Sequence, residues 1–202
     1  MANILVDPHW ATHIYFDREL QRKTIKVQPG EFFAADNDCL IATILGSCVS
    51  VCLTDHSRKV SGMNHIMLPE PAENLLSPSA RYGSYAMDVL INSLLRLGAQ
   101  RSHLQAKIFG GGNVMHSTLS HQVGERNVDF VLQYLEREEI PIVAQNVLGN
   151  FPRKIYLFAA TGEVKMKKLG NWQQTKVAAV ETSFQQQLDS TCLTGQAELF
   201  KE

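Results

Sequence analysis

Apolar and polar residues alternate in short blocks along most of this chain, and the period of the alternation changes from one block to the next. From Cys39 to Leu68 the β-like runs CLIATIL, VSVCLTD and VSGMNHIML follow one another, with the turn-forming DHSRK between the last two. In VSVCLTD, Val49, Val51 and Leu53 alternate with Ser50, Cys52 and Thr54, which predicts a half-buried strand, and the runs together predict a meander or hairpin. A loop bracketed by Pro69 and Pro78 follows. Beyond it Tyr82, Tyr85, Ala86, Val89, Leu90, Ser93, Leu94 and Leu97 recur at the spacing of one helix face, with Gly98 where a C-terminal cap belongs. LQAKIF predicts a strand emptying into Gly110-Gly111-Gly112-Asn113, and Val128, Val131, Leu132 and Leu135 mark the buried face of a second helix. IPIVAQNVL predicts a further strand, and RKIYLFAATGEVKMKKL a hairpin turning at Thr161-Gly162.

The resulting order, β-β-β-α-β-α-β-β-β, fits a layered mixed α/β sandwich with helices covering the sheets better than a doubly wound parallel sheet. Residues 1–28 show no sustained period and read as an N-terminal arm, residues 29–170 as a single domain, and residues 171–202 as a C-terminal extension. Within that extension Val177, Val180, Phe184 and Leu188 are spaced for a weak terminal helix.

Charge and composition narrow the function. Nineteen Lys and Arg against twenty Asp and Glu leave a net charge of −1, so no positive field draws the chain to a phosphate backbone, and nucleic acid is excluded as an expected partner. No apolar run approaches the roughly twenty residues that cross a bilayer. The first residues show no basic stretch leading into an apolar one, so a cytoplasmic location is expected, with Cys39, Cys48, Cys52 and Cys192 as reduced thiols.

The candidate chemistry centres on Cys48. It stands in Leu45-Gly46-Ser47-Cys48 between two strand-like runs; Gly46 permits a tight turn there, and the backbone N–H groups near Ser47 are placed to meet a substrate oxygen. His65 lies on a strand expected to pair near the one that leaves Cys48, where an imidazolium would lower the thiol pKa and make a thiolate available. The bland alternatives are a small buried hydrophobe at Cys48 and a hydrogen-bonded core histidine at His65. On one extended strand Cys48 and Cys52 would sit about 13 Å apart, too far to share a metal ion or a disulfide, and no CxxC pair is present, so neither metal nor cofactor is expected. The triple glycine lacks the ending of a phosphate loop and is expected to admit a close backbone or substrate; Gly111, Gly112 and Asn113 are candidates for a substrate groove. His116 and His121 read as exposed loop residues.

Taken together, Pro29-Gly30-Glu31, LGSCVSVCL, GMNHIMLP, ARY at 80–82, AKIFGGGNVM, GERN at 124–127 and GNFPRKIYLFAATGEV resemble the chemoreceptor glutamine deamidase family of bacterial chemotaxis, CheD, over roughly residues 28–170. The resemblance implies an α/β/β/α sandwich of the cysteine-hydrolase and toxin-deamidase kind, with the family's nucleophile at Cys48 and its histidine at His65. It implies an amidohydrolase that converts specific glutamines of methyl-accepting chemoreceptors to glutamate, releasing ammonia. Such a substrate calls for Cys48 in a shallow, open groove. Some members carry a threonine six positions before the cysteine; here that position is Ala42, and the neighbouring Thr43 is the candidate third residue. Strand alternation lets Thr43 serve only if the register shifts, and otherwise a backbone carbonyl or another polar group would orient the imidazole. Some members also bind a CheC-type phosphatase. The competing readings are receptor glutamate methylesterase activity and a non-catalytic adaptor of the chemotaxis system.

Overall fold

The computed structural model describes residues 9–68, 78–114 and 118–192. Ten strands and three helices follow in the order β1 (His13–Asp17), β2 (Arg22–Lys26), β3 (Phe32–Ala35), β4 (Leu40–Leu45), β5 (Val49–Asp55), β6 (Val60–Asn64), α1 (Pro78–Arg96), β7 (Gln105–Gly110), α2 (Thr118–Arg137), β8 (Ile142–Val147), β9 (Arg153–Phe158), β10 (Glu163–Lys168) and α3 (Asn171–Cys192) among the described residues. The strands form two five-stranded mixed sheets, β1-β2-β4-β9-β10 and β3-β6-β5-β7-β8. The fold is a mixed α/β sandwich in one domain, as the element order predicts.

Burial explains the layering. Val49, Val51 and Leu53 of β5 pack with Met87, Leu90 and Val131 under α1 and α2, while Cys48 and Cys52 join Ile41, Leu45, Ile155 and Leu157 between the sheets. Strand β5 is therefore buried on both faces rather than half-buried, because it is the central strand of its sheet. The expected meander also divides. β5 and β6 form a hairpin, but β4 pairs with β2 and β9 in the other sheet, so Gly46-Ser47-Cys48 is the crossing from one sheet to the next.

The N-terminal segment read as an irregular arm contributes a β1–β2 hairpin that extends the first sheet, and β2 pairs parallel with β4. Its period is concealed because β1 is an edge strand that leaves Ile14 and Phe16 exposed. The predicted first helix is present, and its cap at Gly98 is closed by Gly98 N–H to the Leu95 carbonyl and Ala99 N–H to the Leu94 carbonyl. Helix α2 begins at Thr118, so position 121 is helical rather than part of a loop, and His116 lies outside the described residues. No helix among the described residues is long and apolar enough to cross a membrane.

Candidate active site

Two backbone hydrogen bonds bring Cys48 and His65 together. Val49 N–H donates to the Ile66 carbonyl at 2.9 Å and Ile66 N–H to the Val49 carbonyl at 2.7 Å, closing an antiparallel bridge just beyond the β5–β6 hairpin. The residues preceding each member of that bridge on one strand and on the other, Cys48 and His65, then share the space between the sheets, both buried.

Thr43 completes the line. It shares its parity along β4 with Ile41 and Leu45, whose side chains lie between the sheets, whereas Ala42 packs with Leu40 and Tyr156 on the far side. The Thr43 hydroxyl donates to the Val27 carbonyl at 2.7 Å and lies 2.8 Å from His65 Nδ1. With its proton committed to Val27, the hydroxyl can only accept from Nδ1–H, which assigns the Nε2 lone pair as the free end of the imidazole. His65 Nε2 is buried without a hydrogen-bond partner among the described residues. The register thus permits what strand alternation argued against.

The backbone of Gly46-Ser47-Cys48 is held from behind at successive carbonyls. Gly112 N–H donates to the Gly46 carbonyl at 2.6 Å, Asn127 Nδ2 to the Ser47 carbonyl at 3.0 Å, and Gly111 N–H to the Cys48 carbonyl at 2.8 Å. In a trans peptide the C=O and the following N–H point in opposite directions, so pinning the first two of these carbonyls aims the Ser47 and Cys48 N–H groups the other way. Gly111 and Gly112 therefore lie against the back of the Cys48 loop, and Asn113 N–H bonds the Gly149 carbonyl. The close approach requires glycine at position 110: its φ is +118°, and a Cβ there would stand 2.1 Å from the Cys48 carbonyl oxygen. Fully buried Arg153 anchors the same strip, donating to the Gly110, Asn146 and Leu148 carbonyls.

What the N–H groups meet is a carboxylate from α3. Glu181, 5% exposed, accepts from Gly46 N–H at 2.8 Å and Cys48 N–H at 3.2 Å through Oε1, and from Ser47 N–H and Ser47 Oγ at 2.8 Å each through Oε2. No sequence signal marked Glu181: it stands in a weakly amphipathic, Gln-rich tail. Asn127, at the end of GERN, was visible only as part of a motif.

This carboxylate, with burial, removes the open groove and the preformed ion pair expected from sequence. Burial is the larger cause, and Glu181 adds to it, in raising the Cys48 thiol well above the ordinary range. Burial likewise lowers His65 to about 4. At neutral pH the pair is a thiol beside a neutral imidazole. Cys48 Sγ, a ring nitrogen of His65 and a Glu181 oxygen lie within 4.8 Å of one another, a donor set a metal ion could use. Both carboxylate oxygens are already bonded by two donors each, however, which suits an anion in a backbone cradle better than a metal ligand.

The description CheD chemotactic sensory transduction fits residues 67–168 as a family model. Relatives named "Probable chemoreceptor glutamine deamidase CheD" match nearly end to end. One from Laribacter hongkongensis is 46% identical, covering 92% of this chain and 92% of its own. One from Methylobacillus flagellatus is 44% identical, covering 99% and 100%, and "CheD 1" of Shewanella oneidensis is 44% identical, covering 93% of each. A solved Bacillus licheniformis protein, YfiH, aligns over 58% of this chain and 51% of its own with a TM-score of 0.39 and 16% identity, too remote to bear on the fold. Identity of this extent over whole chains, joined to the family model across residues 67–168, places the sequence: the chain belongs to the CheD family.

Proposed function

We propose that this chain is a chemoreceptor glutamine deamidase, acting in the cytoplasm on glutamine side chains of methyl-accepting receptors, with Cys48 as nucleophile, His65 as general base and acid, and Thr43 as the residue that positions the imidazole. One observation carries the reading: the N–H groups beside a cysteine with a histidine at hand converge on the carboxylate of a glutamate, which is the chemical product of glutamine deamidation.

The steps follow from that geometry. With the site open to substrate, His65 Nε2 takes the thiol proton as Cys48 Sγ attacks the amide carbon. The oxyanion that forms occupies the cradle of Gly46, Ser47 and Cys48 N–H groups. His65 returns the proton to the departing nitrogen, ammonia leaves, and a thioester remains. Water, deprotonated by the same imidazole, attacks the thioester and releases glutamate and the thiol. General acid–base catalysis contributes about 10²–10⁴ in rate and an oxyanion donor about 10²–10³, so losing Cys48 or His65 is expected to abolish turnover. A CheC-type phosphatase is the second partner this reading carries.

The test is mass spectrometry of a receptor cytoplasmic fragment incubated with the protein. Amide-to-acid conversion at glutamines is expected with wild type and not with Cys48→Ala or His65→Ala. Conversion that persists in the Cys48 variant would refute the mechanism, and none by wild type or by a Glu181→Ala variant would leave the adaptor reading in its place.

A further inference from the structure

We infer that α3 is a resident product mimic: it lies in the groove that receives the substrate helix, with Glu181 standing where the target glutamine stands, so that the chain is self-inhibited and its own tail records the register of the sequences it accepts. The inference rests on the deamidase reading above.

Hydrogen bonding carries the first part. The groups that would hold the oxyanion are all occupied by one side chain delivered from more than 130 residues away in sequence. A structural cap on these N–H groups could come from anything that accepts a hydrogen bond. Here the acceptor has the carbon skeleton of the reaction product, and it reaches within 4.8 Å of both Cys48 Sγ and the His65 ring. The fit is also close. A Cβ on Gly46 would stand 2.7 Å from Glu181 Oε2, so the cradle is shaped around this carboxylate.

Packing carries the second part. Val177 and Glu181 are buried and Phe184 and Leu188 are half-buried, while Val180 is 56% exposed. Phe184 and Leu188 pack onto the core between the sheets, and Phe184 also closes on Gly30. The inward face thus runs at positions −4, 0, +3 and +7 relative to Glu181, one stripe of a helix. A cleft lined by Val27, Pro29, Ile44, His65 and Val177 follows α3 down to the imidazole. A receptor helix that replaces α3 therefore presents its glutamine at position 0 and apolar residues four before it and three and seven after it. Helix α3 is suited to leave: its stripe is narrow, it adds no strand pairing, and its polar face is rich in glutamine.

Replacing Glu181 by glutamine turns the mimic into a substrate in cis. Cys48 Sγ would form a bond to the amide carbon of the side chain now at position 181, the C–N bond would break with a proton from His65 to give ammonia, and water would cleave the thioester, leaving glutamate at that position.

The experiment has two arms on the full-length protein. In the first, Glu181→Gln is made alone and with Cys48→Ala, and the peptide spanning residue 181 is read by mass spectrometry. The expected result is glutamate at 181 in the single variant and glutamine in the double variant. In the second, Glu181→Ala is compared with wild type on a receptor cytoplasmic fragment. The net worth of even one charge-assisted hydrogen bond shifts a closed–open equilibrium about tenfold, so deamidation about tenfold faster or more is expected. Glutamine retained at 181 by a protein that still converts receptor glutamines would overturn the inference and leave the deamidase reading standing. A slower Glu181→Ala would overturn self-inhibition, making Glu181 part of the working site. If neither position 181 nor a receptor glutamine is ever converted, both fall together.

Discussion

Replacing Thr43 by valine keeps the shape of a buried side chain and removes one oxygen. That oxygen donates to the Val27 carbonyl at 2.7 Å and lies 2.8 Å from His65 Nδ1 in a region closed to solvent. Losing the hydrogen bonds themselves removes about 1 kcal/mol net, and leaving the Nδ1–H without an acceptor adds about 1–3 kcal/mol. The expected loss of stability is about 2–4 kcal/mol, which at a urea m-value of about 2–3 kcal/mol/M lowers the unfolding midpoint by about 1 M. Catalysis is expected to suffer separately. Without the threonine to accept from Nδ1–H, the imidazole can turn or take the other tautomer, which places its proton on the nitrogen meant to receive one from Cys48. Deamidation of a receptor fragment should then fall about tenfold to a thousandfold in kcat, with KM little changed, because Thr43 is buried and acts through the imidazole. Thr43→Ser retains the hydroxyl and should recover most of the rate. A valine variant that turns over as wild type, or a serine variant as impaired as the valine one, would refute the assignment of the imidazole's orientation to this hydroxyl.

Asn127→Ala removes the donor to the Ser47 carbonyl and the acceptor of Leu68 N–H; kcat is expected to drop up to the 10²–10³ of a lost oxyanion donor, since the Cys48 peptide is then free to rotate, and steady-state assays with Asn127→Asp alongside check it. Gly110→Ala forces a Cβ into the Cys48 carbonyl at a φ of +118°, so the variant should unfold at clearly lower urea or fail to accumulate, as circular dichroism would show. Acid should destabilise the fold in two stages. His65, lowered by burial to about 4 from 6.5, binds no proton in the native state where the unfolded chain does, so its contribution is complete above pH 6.5 and is lost as pH falls toward 4. Asp55 is pushed up by burial but held down to about 2 by Gln100 N–H, Ser57 and Arg58 N–H, so its contribution is present above 3.8 and is lost below it. Urea titrations between pH 7 and 4 should show the first stage in wild type and a flatter profile in His65→Asn.

The strongest periodic segments were legible from residues alone. The Tyr82–Leu97 stripe, its Gly98 cap, the β9–β10 hairpin at Thr161-Gly162 and the apolar runs of β4, β5 and β6 each follow from a local pattern that burial against a core layer enforces. So does the conjunction of Cys48 with His65, because a hairpin fixes which residues of its two strands meet. Three features needed the tertiary structure. The division of β4 and β5 between two sheets is invisible locally, since a strand's sequence does not name its partner. Strands β1 and β2 hid their period because the hairpin they form lies at the margin of its sheet, where edge strand β1 leaves Ile14 and Phe16 exposed. Glu181 was beyond reach for a related reason: a carboxylate on a polar helix reads as solvated until the fold lays that helix across the N–H groups of residues 46–48, and only then does the same side chain become a buried anion with a cradle. Sequence determines which segments are helix or strand through short-range periodicity and which residue types can do chemistry. Which of them face one another, and with what protonation, is set by long-range packing and the loss of water that comes with it.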